Sequence, residues 1–231
     1  MARAWALVLA GGGGTRFGSA ADGTTKVMMP VAGRSMVAWS VAAARAACDG
    51  VTLVVPIGLI GTTVASTGGA DVVVAGGATR SGSVRCGLET VPVDVDVVVC
   101  HDAARPGASA GLIEDVMAAV RDGADAAVPV LAVSDTLKRV PQWAPGGGVV
   151  AGTVDRSGLF AVQTPQAFRR DVLVAAHGGQ PEATDDAALV ESAGGTVMAV
   201  PGEAAAHKVT TAADLVVVEA LLTDRISGGG L

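Results

Sequence analysis

Apolar residues along this chain fall in short, nearly continuous runs. Ala4–Ala10, Val51–Pro56, Asp71–Ala75, Val95–Cys100, Ala126–Leu131 and Thr196–Val200 are rich in Val, Ala and Leu. A run that is apolar on both faces suits a central parallel strand, because helices cover both sides of such a sheet. Between these runs, apolar residues recur at helical spacing over Met36–Ala47, Ser83–Glu89, Ala110–Arg121, Arg170–His177, Asp185–Ser192 and Thr211–Leu222. Ser81, Ser109 and Thr184 stand where a hydroxyl can cap a first turn. Strand and helix alternate, which predicts an α/β fold with a doubly wound, mostly parallel sheet.

One stretch breaks the alternation. Residues 136–156 read as two extended segments around Pro145-Gly146-Gly147-Gly148, the pattern of a β-hairpin with a flexible tip. A hairpin of that length inside an α/β body is expected to project from it as a dimerisation arm or a lid. No repeat or linker divides the chain, so a single domain over residues 1–231 is expected.

Composition narrows the classes. A chain of 231 residues can bury roughly 70% of its unfolded surface without disulfide or metal support. Half the residues are hydrophobic and 16% are charged, which excludes global disorder. Mean hydropathy is +0.51, yet the long uncharged stretch from Val51 to Ala70 carries Pro56 and several glycines and reads as strand and loop. No membrane span is therefore expected. Ala4–Ala10 leads straight into a glycine loop, so no secretory leader is expected either. A net charge of −6 disfavours a nucleic-acid surface. Cys48, Cys86 and Cys100 are odd in number and lack CxxC spacing, which argues against a disulfide framework or zinc site and fits a reducing cytoplasm. Lys26, Lys138 and Lys208 are the only lysines among 16 basic residues, and all three fall in segments with candidate chemistry.

The strongest local signal is Leu9-Ala10-Gly11-Gly12-Gly13-Gly14-Thr15-Arg16, a buried strand that ends in four glycines and an arginine. Consecutive N–H groups in such a turn form an anion-binding nest. No Gly-Lys-Ser/Thr closes the loop as in a P-loop, and Arg16 and Phe17 stand where a dinucleotide fingerprint needs its last glycine. Arg16 and Lys26 supply the positive charge that a triphosphate needs. The second signal is Cys100-His101-Asp102-Ala103-Ala104-Arg105-Pro106. Asp102 follows a buried strand at the crevice edge where open α/β sheets bind ligands, a place suited to holding Mg²⁺ against phosphate oxygens. Arg105 is a candidate for an anionic substrate, and His101 reads as a structural histidine. Gly76-Gly77 and Ser83 form a third segment, small enough for a nucleobase to lie against backbone. Polar and cationic residues at both feet of the proposed arm, and Lys208 at a strand-to-helix junction, point to further anionic contacts.

In this order the pieces resemble the nucleotidyltransferase fold, and within it the 2-C-methyl-D-erythritol 4-phosphate cytidylyltransferase family. The resemblance rests on HDAARP at 101–106, SDTLKR at 134–139, TVDR at 153–156, QTPQ-F at 163–168, TDDA at 184–187 and KVT from 208. It implies transfer of CMP from CTP to a sugar-alcohol phosphate with release of pyrophosphate. Arg16 and Lys26 then stabilise the triphosphate and the pentacoordinate α-phosphorus, and Lys208 joins them at the reacting phosphates. Ala10, Gly11, Gly12, Gly13, Gly14, Gly77 and Ser83 bind the nucleotide. Asp102, Arg105, Thr164 and Lys208 face the substrate, with Mg²⁺ at Asp102. Thr136 and Arg156 reach the substrate of a partner subunit, in a homodimer joined by the arm. The chain departs from the family pattern at Leu9, at Thr25, in the Arg16-to-Lys26 spacing, at Ala78 and at Ala206. Ribitol 5-phosphate transfer and other nucleotidyl transfers keep the same fold; an NAD oxidoreductase and a non-catalytic nucleotide-binding paralog are the rivals from other classes.

Overall fold

The computed structural model describes residues 2–11, 26–60 and 69–227. Strand β1 (Ala4–Leu9) lies at the centre of the main sheet. A small hairpin follows, β2 (Pro30–Val31) and β3 (Arg34–Ser35), then helix α1 (Met36–Ala47), capped where the Ser35 hydroxyl accepts the Ala38 N–H. Strand β4 (Gly50–Val55), strand β5 (Val72–Ala75) and helix α2 (Arg80–Leu88) complete one half. The other half begins with β6 (Val97–Asp102), α3 (Ala110–Arg121) and β7 (Ala126–Ala132). After it come β8 (Leu137–Arg139), β9 (Gly152–Val154), β10 (Phe160–Val162), β11 (Gln166–Arg169), α4 (Arg170–Ala176), α5 (Asp186–Ser192), β12 (Val197–Pro201) and α6 (Ala212–Ser227).

Strands β5, β4, β1 and β6 run parallel in that order. Strand β11 is antiparallel to both β6 and β7, and β10 continues along the same edge of β7. Strand β12 pairs in parallel with the other edge of β7. The sheet is thus mostly parallel, as expected, with one antiparallel strand inserted between β6 and β7. Periodicity does not predict that insertion: Gln166-Ala167-Phe168-Arg169 is too short and too mixed to read as a strand, and its pairing comes wholly from its two neighbours.

Alternation on β1 divides the core. Ala4, Ala6 and Val8 pack with Val37 and Val41 of α1 and with Ile113, Val116 and Met117 of α3. Trp5, Leu7 and Leu9 pack on the opposite face with Val84 of α2, Leu173 of α4 and Val190 of α5. Both faces are covered, which is why the strands read as continuous apolar runs. Strand β6 follows the same alternation. Val97 and Val99 join the α1/α3 side, while Val98 and Cys100 join the other. The strand does not stop at Cys100, because Val8 and Leu9 continue in register with His101 and Asp102. Pleating then sends His101 toward the α1/α3 side and Asp102 toward α2, α4 and α5.

A third cluster joins Val31, Met36 and Trp39 to Val209, Val218 and Leu222, so α6 folds back over the β2/β3 hairpin. Residues 137–154 do form a hairpin: Leu137, Lys138 and Arg139 pair with Val154, Thr153 and Gly152, and Ala144 bridges Gly147 at the tip. Helix starts shift from two of the expected caps. The hydroxyl of Thr79, not Ser81, caps α2, and the Asp185 carboxylate, not Thr184, caps α5.

Candidate active site

The carboxyl ends of β1 and β6 lie side by side, with Leu9 in register with both Val54 and Asp102. Past β1, Ala10 is buried and its N–H is bonded to the Val54 carbonyl. A Cβ placed on Gly11 would lie 3.7 Å from the Ser83 hydroxyl. That hydroxyl donates to the Thr79 and Gly77 carbonyls. Gly77 is required where it stands, since a Cβ there would meet the Gly82 backbone at 2.8 Å. The structure therefore gathers Gly11, Gly77 and Ser83 at one corner of the sheet edge. Gly12, Gly13, Gly14 and Arg16 lie outside the described residues, as does Thr25.

Beside that corner, Arg80, Asp102, Arg105, Gln163, Thr164 and Lys208 help to line a pocket of about 170 Å³. Asp102 is its electrostatic centre. Lys208 Nζ donates to Asp102 Oδ2 at 2.7 Å, Arg80 Nε lies 3.5 Å from Oδ1, and the Asp102 N–H donates to Thr164 Oγ1 at 3.0 Å. Burial alone would raise the carboxyl, but Arg80 and then Lys208 outweigh it and hold it down at about 2. Asp102 is therefore ionised throughout the working pH range.

Lys208 reaches this position because the segment before it is tied down at several points. Gln163 Oε1 accepts the Glu203 N–H, and its Nε2 donates to the Glu203 carbonyl. Arg105 donates to the Ala206 carbonyl at 2.8 Å, and the Val209 N–H donates to the Ala104 carbonyl. Lys26 Nζ donates to the Val209 carbonyl at 2.8 Å, which brings the first lysine next to the last. Thus Lys26, Asp102, Arg105, Thr164 and Lys208, scattered over the sequence, meet at one sheet edge.

Thr136 and Arg156 do not line this pocket. Both are exposed at the foot of the β8/β9 hairpin, where Arg156 donates to the Val133 and Ser134 carbonyls. His177, at the C-terminal end of α4, is buried with Nε2 3.1 Å from Asp186 Oδ1. Two residues central to the site escape the sequence reading. Arg80 NH1 bonds Asp186 Oδ2 at 2.7 Å, so a fully buried carboxylate stands behind the pocket's arginine. The only sequence signal is indirect: Arg80 follows the Gly76-Gly77 pair, and Asp186 lies within TDDA.

His101 is fully buried, and burial pushes its imidazole down to about 4, against a smaller upward pull from Asp102. It is neutral at pH 7. Above about pH 6.5 it is neutral in the unfolded chain as well, so it imposes no penalty. As pH falls toward 4, the unfolded chain takes a proton that the folded one refuses, and stability drops across that window. Urea midpoints measured from pH 7 to pH 4 should fall less steeply for His101→Asn than for the wild type; parallel curves would remove His101 as the source.

Among the described residues no three His, Cys, Asp or Glu side chains gather into a metal cage. The ionised Asp102 carboxylate at this pocket does fit a magnesium ion that draws its remaining ligands from phosphate oxygens and water.

Residues 4–224 match the model of the family described as 2-C-methyl-D-erythritol 4-phosphate cytidylyltransferase. The enzyme of that name from Frankia casuarinae is 44% identical over 223 residues, spanning 95% of this chain and 81% of the relative. Its counterpart from Saccharopolyspora erythraea is 44% identical over 229 residues, spanning 94% and 98%. The crystal structure of 2-C-methyl-D-erythritol 4-phosphate cytidylyltransferase from Thermus thermophilus superposes with a TM-score of 0.76 at 36% identity, covering 94% of this chain and 98% of that one.

Proposed function

The chain belongs to the 2-C-methyl-D-erythritol 4-phosphate cytidylyltransferase family, and from that premise we infer that it transfers CMP from CTP to 2-C-methyl-D-erythritol 4-phosphate and releases pyrophosphate. One observation supports assigning the chemistry to the Asp102 pocket: Arg105, Thr164 and Lys208 line it around a buried, ionised carboxylate, and Lys26 is bonded to the carbonyl of Val209, next to Lys208.

The reaction asks little covalent chemistry of the protein. An oxygen of the substrate's phosphate attacks the α-phosphorus of CTP, a P–O bond forms, and the bond to the β-phosphate oxygen breaks in line. That nucleophile is already anionic at neutral pH, so no general base is needed, and neutral His101 is not called upon. Catalysis then rests on position and on cancelling charge. Lys26 neutralises the triphosphate and the pentacoordinate phosphorus, together with Arg16 by family resemblance. Lys208 and Arg105 orient the attacking phosphate, and Thr164 fixes the backbone of Asp102. Gly11, Gly77 and Ser83 carry the cytidine. Asp102 would hold Mg²⁺, which lowers the charge of the triphosphate when bound.

Pyrophosphate release tests this reading. CTP, UTP and ATP are each offered with 2-C-methyl-D-erythritol 4-phosphate and with ribitol 5-phosphate. CTP with the methylerythritol phosphate should be the fastest pair by at least about tenfold, the discrimination a hydrogen-bonding site supplies. Faster release with ribitol 5-phosphate would reassign the substrate.

The hairpin is proposed to join two subunits and to bring Thr136 and Arg156 to the partner's substrate. In support, Trp143, Val149, Val150 and Phe160 are more than half exposed on or near it, an apolar surface that a second copy would cover. Trp143→Glu is expected to shift sedimentation from dimer toward monomer at low micromolar protein. A wild type that already sediments as a monomer would remove the arm from this role. The cytoplasm is proposed as its compartment, in keeping with three free cysteines.

A further inference from the structure

We propose that Asp186, itself anchored by His177, positions Arg80 as a phosphate-binding cation on the nucleotide side of the pocket. The proposal deepens the reading above and rests on it.

Arg80 is held from behind. Its NH1 donates to Asp186 Oδ2 at 2.7 Å, and Asp186 is fully buried. The other oxygen of Asp186 is 3.1 Å from Nε2 of His177, which is also buried. Asp186 therefore has one oxygen on each partner and no freedom to turn. Asp186 opens α5 and Arg80 opens α2, two helices packed on the same face of the sheet.

This arrangement changes what Arg80 does at Asp102. Without Asp186, the guanidinium would be expected to close on Asp102, the other carboxylate within its reach. Instead its Nε stays 3.5 Å from Asp102 Oδ1, and Lys208 holds the other oxygen at 2.7 Å. A guanidinium carries five N–H donors in a fixed fork. One is committed to Asp186, and NH2 is buried with no hydrogen-bond partner among the described residues. A buried donor left unpaired forfeits its hydration with nothing in return. An anionic oxygen admitted by a small shift of the atoms that cover it would satisfy it.

Phosphate is the ligand chemistry that suits a planar, half-committed fork. Of the two phosphate sources, the position favours the nucleotide. Arg80 follows Gly76-Gly77 by three residues and precedes Ser83 by three, and Ser83 lies against Gly11. Arg105 and Lys208, tied to the 203–209 segment, stand on the other side of Asp102 and are left for the second substrate.

A double-mutant cycle on CTP binding tests this. The variants are Asp186→Asn, Arg80→Gln and the pair together, with the Kd for CTP read by calorimetry, KM for both substrates by pyrophosphate release, and folding by thermal midpoint. Each single variant should raise the Kd for CTP by about tenfold, the scale of one hydrogen bond to a charged group, and leave KM for the methylerythritol phosphate within about twofold. The pair should bind CTP no more weakly than Arg80→Gln alone, because Asp186 acts only through Arg80. A merely structural Asp186 would give additive losses, or a lower midpoint with unchanged Kd, and either overturns the proposal. A shift confined to KM of the sugar phosphate overturns the nucleotide assignment. If Asp186→Asn does not fold, the pair, which leaves no unpaired buried charge, must still weaken CTP binding about tenfold. Wild-type turnover with the two substrates reports the underlying reading separately.

Discussion

Lys26→Ala is expected to lower kcat by on the order of 10²–10³ while the thermal midpoint stays within a few degrees of wild type. Lys26 sits in a short turn (Lys26–Met28), and its Nζ donates to the carbonyl of Val209, beside Lys208. That bond fixes where the ammonium sits. A fixed ammonium near developing phosphate charge stabilises a transition state without reorganising. Its truncation removes the partly buried bond to Val209 and leaves the buried Val27 beside it in place, so folding should survive. Steady-state pyrophosphate release with saturating substrates checks the rate. A kcat within a few-fold of wild type would take Lys26 out of the chemistry.

Asp102→Asn should produce a second large loss, again on the order of 10²–10³ in kcat/KM, together with a weaker response to added magnesium. The substitution preserves shape and one acceptor oxygen but removes the charge that Arg80 and Lys208 share. The remaining cations then face each other uncompensated, so a stability cost of about 1–3 kcal/mol is expected at pH 7. Its pH dependence has a definite sign. The folded-state carboxyl is held at about 2, below its unfolded value of ~3.9. The stabilisation is therefore fully present above pH 4 and is lost as pH falls toward 2. Wild type and Asp102→Asn should accordingly differ in urea midpoint at pH 7 and converge near pH 2. A constant difference over that range would mean that charge is not what Asp102 contributes.

Much of the architecture is legible in the chain because it is written in local periodicity. Helices Met36–Ala47 and Ala110–Arg121 begin and end where their apolar spacing does, each behind a serine cap. The buried strands declare themselves as two-sided Val and Ala runs. Strand β6 runs two residues further than expected, since His101 and Asp102 look like the start of a loop and are strand only because Val8 and Leu9 pair with them. Strand β11 carries no signal of its own for a similar reason: its burial is conferred by β6 and β7. Sequence spacing places Asp102 and Lys208 each at a sheet edge, but their 2.7 Å pairing spans 106 positions. Arg80 and Asp186 are likewise 106 positions apart, and no periodicity links residues on two different helices. Motif resemblance reaches the segments containing them without identifying the pair. Hydrogen bonds from Gln163 and Arg105 to residues 203–206 belong to the same class of long-range contact.

Centrally, the edge formed by β1 and β6 is proposed to receive the triphosphate. A crystal structure with CTP and magnesium measures that directly. The α-phosphate is expected within hydrogen-bond distance of Lys26, the metal against Asp102, and the cytosine over Gly11, Gly77 and Ser83. Electron density placing the triphosphate away from Asp102 and Lys26, with those side chains unmoved, would contradict it.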